Sequence, residues 1–155
     1  MTIQEKNMVK YEIYKTMHEN LTKAMKYGFY YEAIFIEYAI LEDRTTSVLS
    51  HAGHPVTDRG GHPLKLSKKI GILKAKEPFT SPAVRKRLPY ELLEEADAWR
   101  ESRNALIHDL ANTPYDSEQV KAIALHGELL CKAISNKVKN VNRYFEKLKA
   151  KSEGE

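Results

Sequence analysis

The chain has a single cysteine, seven glycines and six prolines in 155 residues, and no apolar run long enough to cross a membrane. One thiol, Cys131, excludes an internal disulfide and with it the stapled frameworks of small secreted domains, so a reducing, cytoplasmic setting is expected. A membrane-spanning helix needs about 20 consecutive apolar residues, and the opening "MTIQEKNMVK" has no apolar core of an export signal, so no membrane partner is expected. Phosphate-binding loops are also missing. "DRGGHP" has too few glycines and no helix following at the right place for a dinucleotide loop, and neither a Walker-type loop nor a serine-nucleophile pattern occurs.

What remains is the composition of a helical globular chain of single-domain length, 1–155, with 42% apolar, 30% charged and 9% aromatic residues. The net charge of +4 is unevenly spread. Residues 65–87 carry eight lysines and arginines against Glu77, residues 91–118 carry eight acids against Arg100 and Arg103, and the stretch from 132 onward is basic again. Such an asymmetry is able to attract phosphates, although most charge runs are solvated helix faces.

Helical periodicity runs through most of the chain. Thr2 and Glu5 form a capping-box pattern ahead of the stripe Tyr14, Met17, Leu21 and Ala24, which stops at Gly28. "FYYEAIFIEYAILEDRTTSVLSH", residues 29–51, is apolar on nearly every side in its first half, as expected of a central, enclosed helix. Residues 53–66 are dense in Gly, Pro and Asp and predict a long loop. Ser67 is placed to cap a short basic helix through about 75, and Ser81 followed by Pro82 marks another start, which ends at Leu88 before Pro89.

From 89 to about 112 the stripe Leu92, Ala96, Trp99, Arg103, Leu106, Leu110 steps by four and three, and after "NTPYDSEQ" a last helix starts at Asp116 or Ser117. Its apolar stripe runs to Leu148, so its distal end is expected to fray or overhang the body. No segment alternates with period two. The expected fold is all-α, a bundle of four long helices with a basic insertion of loop and short helices, about 53–88, between the second and third.

One position breaks the pattern of the third long helix. Arg103 occupies the apolar seam, which is unfavourable unless its guanidinium is paired or faces a ligand. Asn104 follows, and His108 precedes the helix stop. At about 100° per residue, Asn104 and His108 are about 40° apart and Arg103 and His108 about 140°. Convergence therefore needs a loosened helix end or a second copy of the chain related by a two-fold axis.

"RNALIH" resembles the R-x4-6-H motif of HEPN domains, helical bundles in which a polar residue, often Asn, follows the Arg and the motif lies on the helix before the last. The resemblance implies metal-independent endoribonuclease chemistry in a homodimer: the ribose 2′-OH attacks phosphorus, giving a cyclic phosphate and a free 5′-OH. Arg103 would neutralise the phosphorane, His108 would move protons, and Asn104 would orient His108 or hold a phosphate oxygen. An imidazole, with an unperturbed pKa near 6.5, and a planar guanidinium suit those roles.

The resemblance also implies a toxin or phage-defence effector restrained by an antitoxin or nucleotidyltransferase partner. Some such toxins carry a Tyr two residues after the His; position 110 here is Leu, so tyrosine-directed silencing is not expected.

Alternatives follow from the same residues. Spacing alone is undemanding, and Arg44 with His51 also satisfies it, although Arg44 is followed by Thr and reads as a charge partner of Glu37 or Glu42. Arg103 could pair with Glu37 inside the bundle, leaving His108 a favourable cation at a helix C-terminus. The bundle would then be a non-catalytic HEPN-like module binding RNA or protein. Lys68, Lys69, Arg85 and Arg87 are the expected RNA track, with residues 53–87 as a rim above the cleft. His51, His54 and His62 with Asp58 lack zinc-site spacing, so neither a metal nor another cofactor is expected. The tyrosines of the first two helices fall at helical spacing, so core or interface packing is expected of them rather than base stacking.

Overall fold

Thr2 closes a capping box at the start of α1 (Ile3–Tyr27). Its hydroxyl accepts from the Glu5 N–H at 3.1 Å, and the Glu5 carboxylate accepts from the Thr2 N–H at 2.5 Å. Two otherwise orphaned donors are thereby satisfied. The helix stops at Gly28, whose φ of +74° is a conformation that side chains with a Cβ resist.

The computed structural model describes residues 1–154 and is all-helical. It continues with α2 (Tyr30–His51), α3 (Leu66–Ala75), α4 (Pro82–Arg87), α5 (Tyr90–Asp109) and α6 (Ser117–Glu153). Among the described residues no strand forms, only an isolated bridge between Thr57 and Pro63. Among the described residues no helix is long and apolar enough to cross a membrane.

Side-chain caps mark three of the helix starts, at Thr2, Ser81 and Asp116. Ser81 accepts from the Val84 N–H at 3.3 Å with Pro82 in the first turn of α4. Asp116 accepts from the N–H groups of Glu118 and Gln119 to start α6. Two boundaries differ from the sequence pattern. α3 begins at Leu66, with no side-chain cap from Lys65, so Ser67 lies inside its first turn. α5 stops at Asp109, whose carbonyl accepts from both Asn112 and Thr113 and turns the chain early.

α2 runs through the middle of one apolar cluster. Ile34, Ile40, Leu41, Val48 and Leu49 are buried against Ala124, Leu130, Ile134 and Val138 of α6, with Leu93, Ala96 and Trp99 of α5 and Leu66, Ile70 and Leu73 of α3 in the same core. α1 buries only Leu21 and Ala24, and residues 1–13 are exposed. At the other end Phe145 of α6 meets Phe79 edge-on at 6.2 Å, and 146–153 continue as an exposed, overhanging helix.

α2, α5 and α6 cross at Gly127. A Cβ there would stand 2.8 Å from Cζ2 of Trp99 and closer still to the Glu37 carboxyl group. Trp99 is fixed by its Nε1–H, which donates to the Ile123 carbonyl at 2.9 Å. Glu37 is fully buried and neither carboxyl oxygen has a hydrogen-bond partner. Burial, reinforced by Glu128, pushes this acid up to about 9, so it is neutral at pH 7.

Two outcomes follow at this crossing. Gly127→Ala should lower stability by about 1–3 kcal/mol through overpacking, read as a lower urea midpoint with an unchanged m-value. Glu37 has a folded value above its unfolded one, so its contribution is complete below 4.5 and is lost as pH rises towards 9. The stability of the parent chain should therefore fall relative to Glu37→Gln across that window; urea curves that stay parallel would contradict the assignment.

Candidate functional site

The apolar stripe of α5 loses its cover partway along the helix. Leu93, Ala96 and Trp99 are buried, Arg103 and Leu106 are half-buried, and Leu110 is 55% exposed. Arg103 thus sits where the core ends and α2 presents an aromatic face. Its guanidinium lies 4.1 Å from the Tyr38 ring centroid. Nη1 donates to Oδ1 of Asn104 at 3.0 Å, while Nε is enclosed without a partner. Glu37 is not its counter-ion, since the Glu37 carboxyl oxygens have no partner.

Beside Arg103 lies an open groove of about 580 Å³ bordered by Phe35, Tyr38, Glu42 and Asp43. Burial raises the Tyr38 phenol above its ordinary value, with Glu42 acting the same way, so the ring under Arg103 stays neutral. Arg103 and Asn104 are joined, but His108 is not brought to them. It is exposed on the last turn of α5 and is not part of the groove lining. Exposed apolar side chains surround this end: Phe35 is 71% exposed and Ile107 45%, and Tyr115 packs its ring 5.8 Å from that of Tyr31.

The expected RNA track is largely occupied with other contacts. Lys68 is exposed. Lys69 is only 2% exposed; its ammonium donates to the Glu42 carbonyl and to Oγ1 of Thr46, each at 2.9 Å, and pairs with the Glu42 carboxylate. It is unavailable to a strand, which corrects its assignment. Arg85 donates to the Lys74 carbonyl at 2.6 Å beside the Tyr90 ring, and Arg87 donates to the Ala83 carbonyl at 2.8 Å and covers the Tyr144 ring. Both fasten the short helices to their neighbours.

α3 of the insertion reaches the border of the Arg103 groove, where Lys69 bonds Glu42 and Thr46, while its other contacts run to the start of α5 and to α6. Arg85 and Lys74 meet Tyr90 and Glu94 in the first turns of α5, and Phe79 meets Phe145 of α6. His108 lies at the other end of α5, about 27 Å away at 1.5 Å per residue.

Arg44 pairs with neither Glu37 nor Glu42. Its Nη2 and Nε donate to Oδ2 of Asp43 at 2.6 and 3.1 Å. Of the loop histidines, His54 bonds the Pro55 carbonyl through Nδ1 at 2.8 Å and His62 lies 3.5 Å from Asp58. Among the described residues no three ligand-type side chains gather into a metal set.

No family model matches the chain, and neither the curated proteins nor the solved structures contain a match to it.

The Lys69–Glu42 contact generates a stability test. Lys69→Ala should lower unfolding free energy by about 2–3 kcal/mol, because it removes a buried stem and leaves the Glu42 carbonyl, Glu42 carboxylate and Thr46 hydroxyl without their shared donor. Lys68→Ala, one residue away and exposed, should change the urea midpoint by less than about 0.5 kcal/mol in equivalent terms.

Proposed function

We propose that the chain is a metal-independent endoribonuclease of HEPN type that acts as a homodimer, with Arg103, Asn104 and His108 at the cleft between two copies. In this reading α1, α2, α5 and α6 form the four-helix bundle and residues 53–88 its basic insertion. The observation that carries it is the joined Arg103–Asn104 pair, opening onto solvent amid exposed Phe35, Ile107 and Leu110. A second copy covering those apolar side chains would seat its own α5 alongside and supply the missing imidazole.

The chemistry then divides between the two copies. One His108 imidazole takes the 2′-OH proton as the oxygen attacks phosphorus; Arg103 carries the charge of the pentacovalent phosphorane through two N–H donors; the other imidazole protonates the departing 5′ oxygen. Asn104 holds the Arg103 fork in plane through the 3.0 Å contact already present. A toxin or defence role in the cytoplasm, with an antitoxin or nucleotidyltransferase as restraining partner, is part of the same resemblance.

A second reading is favoured by the separation of His108 from Arg103 within one chain: a non-catalytic HEPN-like module that binds RNA or a protein. Cleavage of a single-stranded RNA distinguishes the two. His108→Ala and Arg103→Ala should each reduce cleavage at least about 100-fold, and Phe35→Glu with Leu110→Glu should give a monomer by light scattering that no longer cuts. Cleavage unaffected by all of these substitutions would exclude the enzyme reading.

A further inference from the structure

The second R-x4-6-H match, set aside on sequence grounds, lies in a built polar groove. Seven residues are about 700° of helix, so Arg44 and His51 stand within about 20° of each other on one face of α2, with Ser47 between them. Ser47 is about 180° around α2 from Tyr38, which places this face on the side away from Arg103. Ser135, Lys139 and Arg143 of α6 lie opposite, and Tyr14 of α1 closes one end of a groove of about 550 Å³.

Its donors are held in position. Arg44 is anchored to Asp43 and lies 4.5 Å from the Tyr14 ring centroid; the Tyr14 hydroxyl shares a 2.5 Å hydrogen bond with Ser135. The burial of Asp43, which works against ionisation, is outweighed by hydrogen bonds from Arg44 and Lys10, so the anchor remains a carboxylate. Nδ1 of His51 lies 2.8 Å from the Ser47 carbonyl, an acceptor, so that nitrogen carries the proton. Nε2 is 3.4 Å from the Glu146 carboxylate at the rim. The Asn142 amide donates to Oγ of Ser47 at 3.1 Å, leaving the serine proton free for another acceptor.

The charge balance of this face is strongly positive. Residues 132–151 of α6 hold seven lysines and arginines against Glu146 alone. Lys132, Lys139, Arg143 and Lys147 fall within about 80° of one another and extend over about 22 Å of helix, much longer than a single phosphate group. Fixed guanidinium, hydroxyl and imidazole groups beneath a row of ammonium groups form a surface for successive phosphates.

We propose that this groove binds the phosphodiester backbone of single-stranded RNA, with Arg44, Ser47, Lys139 and Arg143 as phosphate contacts. It is a binding track on the face of α2 opposite Arg103, and it rests on the reading that the chain acts on RNA. The track is supplied by α2 and α6, and the basic insertion has no part in it.

The test is anisotropy of a labelled single-stranded RNA oligomer on the His108→Ala chain, which leaves the probe uncut. Lys139→Ala with Arg143→Ala, both exposed positions, should weaken binding about tenfold and lower the slope of log affinity against log salt by about 1.4, from two lost contacts at about 0.7 each. AMP should bind at least tenfold more weakly than the oligomer. Affinity and slope within twofold of the parent would overturn the track, as would AMP binding as tightly as RNA or an acidic peptide displacing the oligomer at equal concentration. If binding is insensitive to the groove while the His108-containing chain still cuts, only the track fails. If groove-dependent binding persists and no cleavage occurs, only the enzyme reading fails.

Discussion

The fold depends on a close approach at one point. Where α2, α5 and α6 cross, α6 offers only the hydrogen of Gly127, and the space is filled by the Trp99 indole and the Glu37 carboxyl group. Trp99 is fixed there from both sides, by contact and by its bond to the Ile123 carbonyl. Because α5 is pinned at Trp99, the residue four places on, Arg103, emerges just past the edge of the core and over Tyr38. The position of the candidate site is therefore a by-product of how tightly three helices can meet.

Electrostatics divides α2 into two unlike sides. Tyr38, Glu42 and the Arg103 guanidinium share one, and Glu42 is already committed to Lys69. Arg44, Ser47 and His51 share the other, against the basic half of α6. Asp43 lies between them, lining the Arg103 groove while its carboxylate receives Arg44 and Lys10. A helix enclosed by apolar neighbours over much of its length thus keeps two polar margins, each with an arginine seated on a tyrosine ring.

The helical character of the chain, the caps at Thr2, Ser81 and Asp116, and the enclosure of α2 were legible in sequence because each is a local signal. Residue spacing also foretold that one copy of α5 would not bring Arg103 and His108 together. The destinations of charged side chains were not legible, since they depend on which helix lies opposite. Lys69 looked like a surface cation in a basic run, yet it falls one turn from Leu66 and Leu73 on the buried side of α3 and finds Glu42. Arg44 reads in sequence as a partner of Glu37 or Glu42 and bonds Asp43 instead. Glu37 reads in sequence as a counter-ion of Arg44 or Arg103; its place beside Gly127, ninety residues away, with neither carboxyl oxygen bonded, was not visible in the run "AIFIEYAIL". The fading of burial beyond Trp99 was equally hidden, because Leu106 and Leu110 continue the stripe in sequence although the first is half-buried and the second exposed.

Cys131 shares the Glu37 environment. Its sulfur lies 3.5 Å from the Glu37 carbonyl, it has no exposed surface, and burial, with Glu37 and Glu128 adding to it, drives the thiol far above its ordinary value. Oxidants and alkylating reagents act on thiolates they are able to touch, and this sulfur offers neither charge nor access. The Cys131 thiol of the folded chain is therefore silent: a change from reducing to oxidising surroundings forms no disulfide or thiol adduct there, and only unfolding would expose that sulfur.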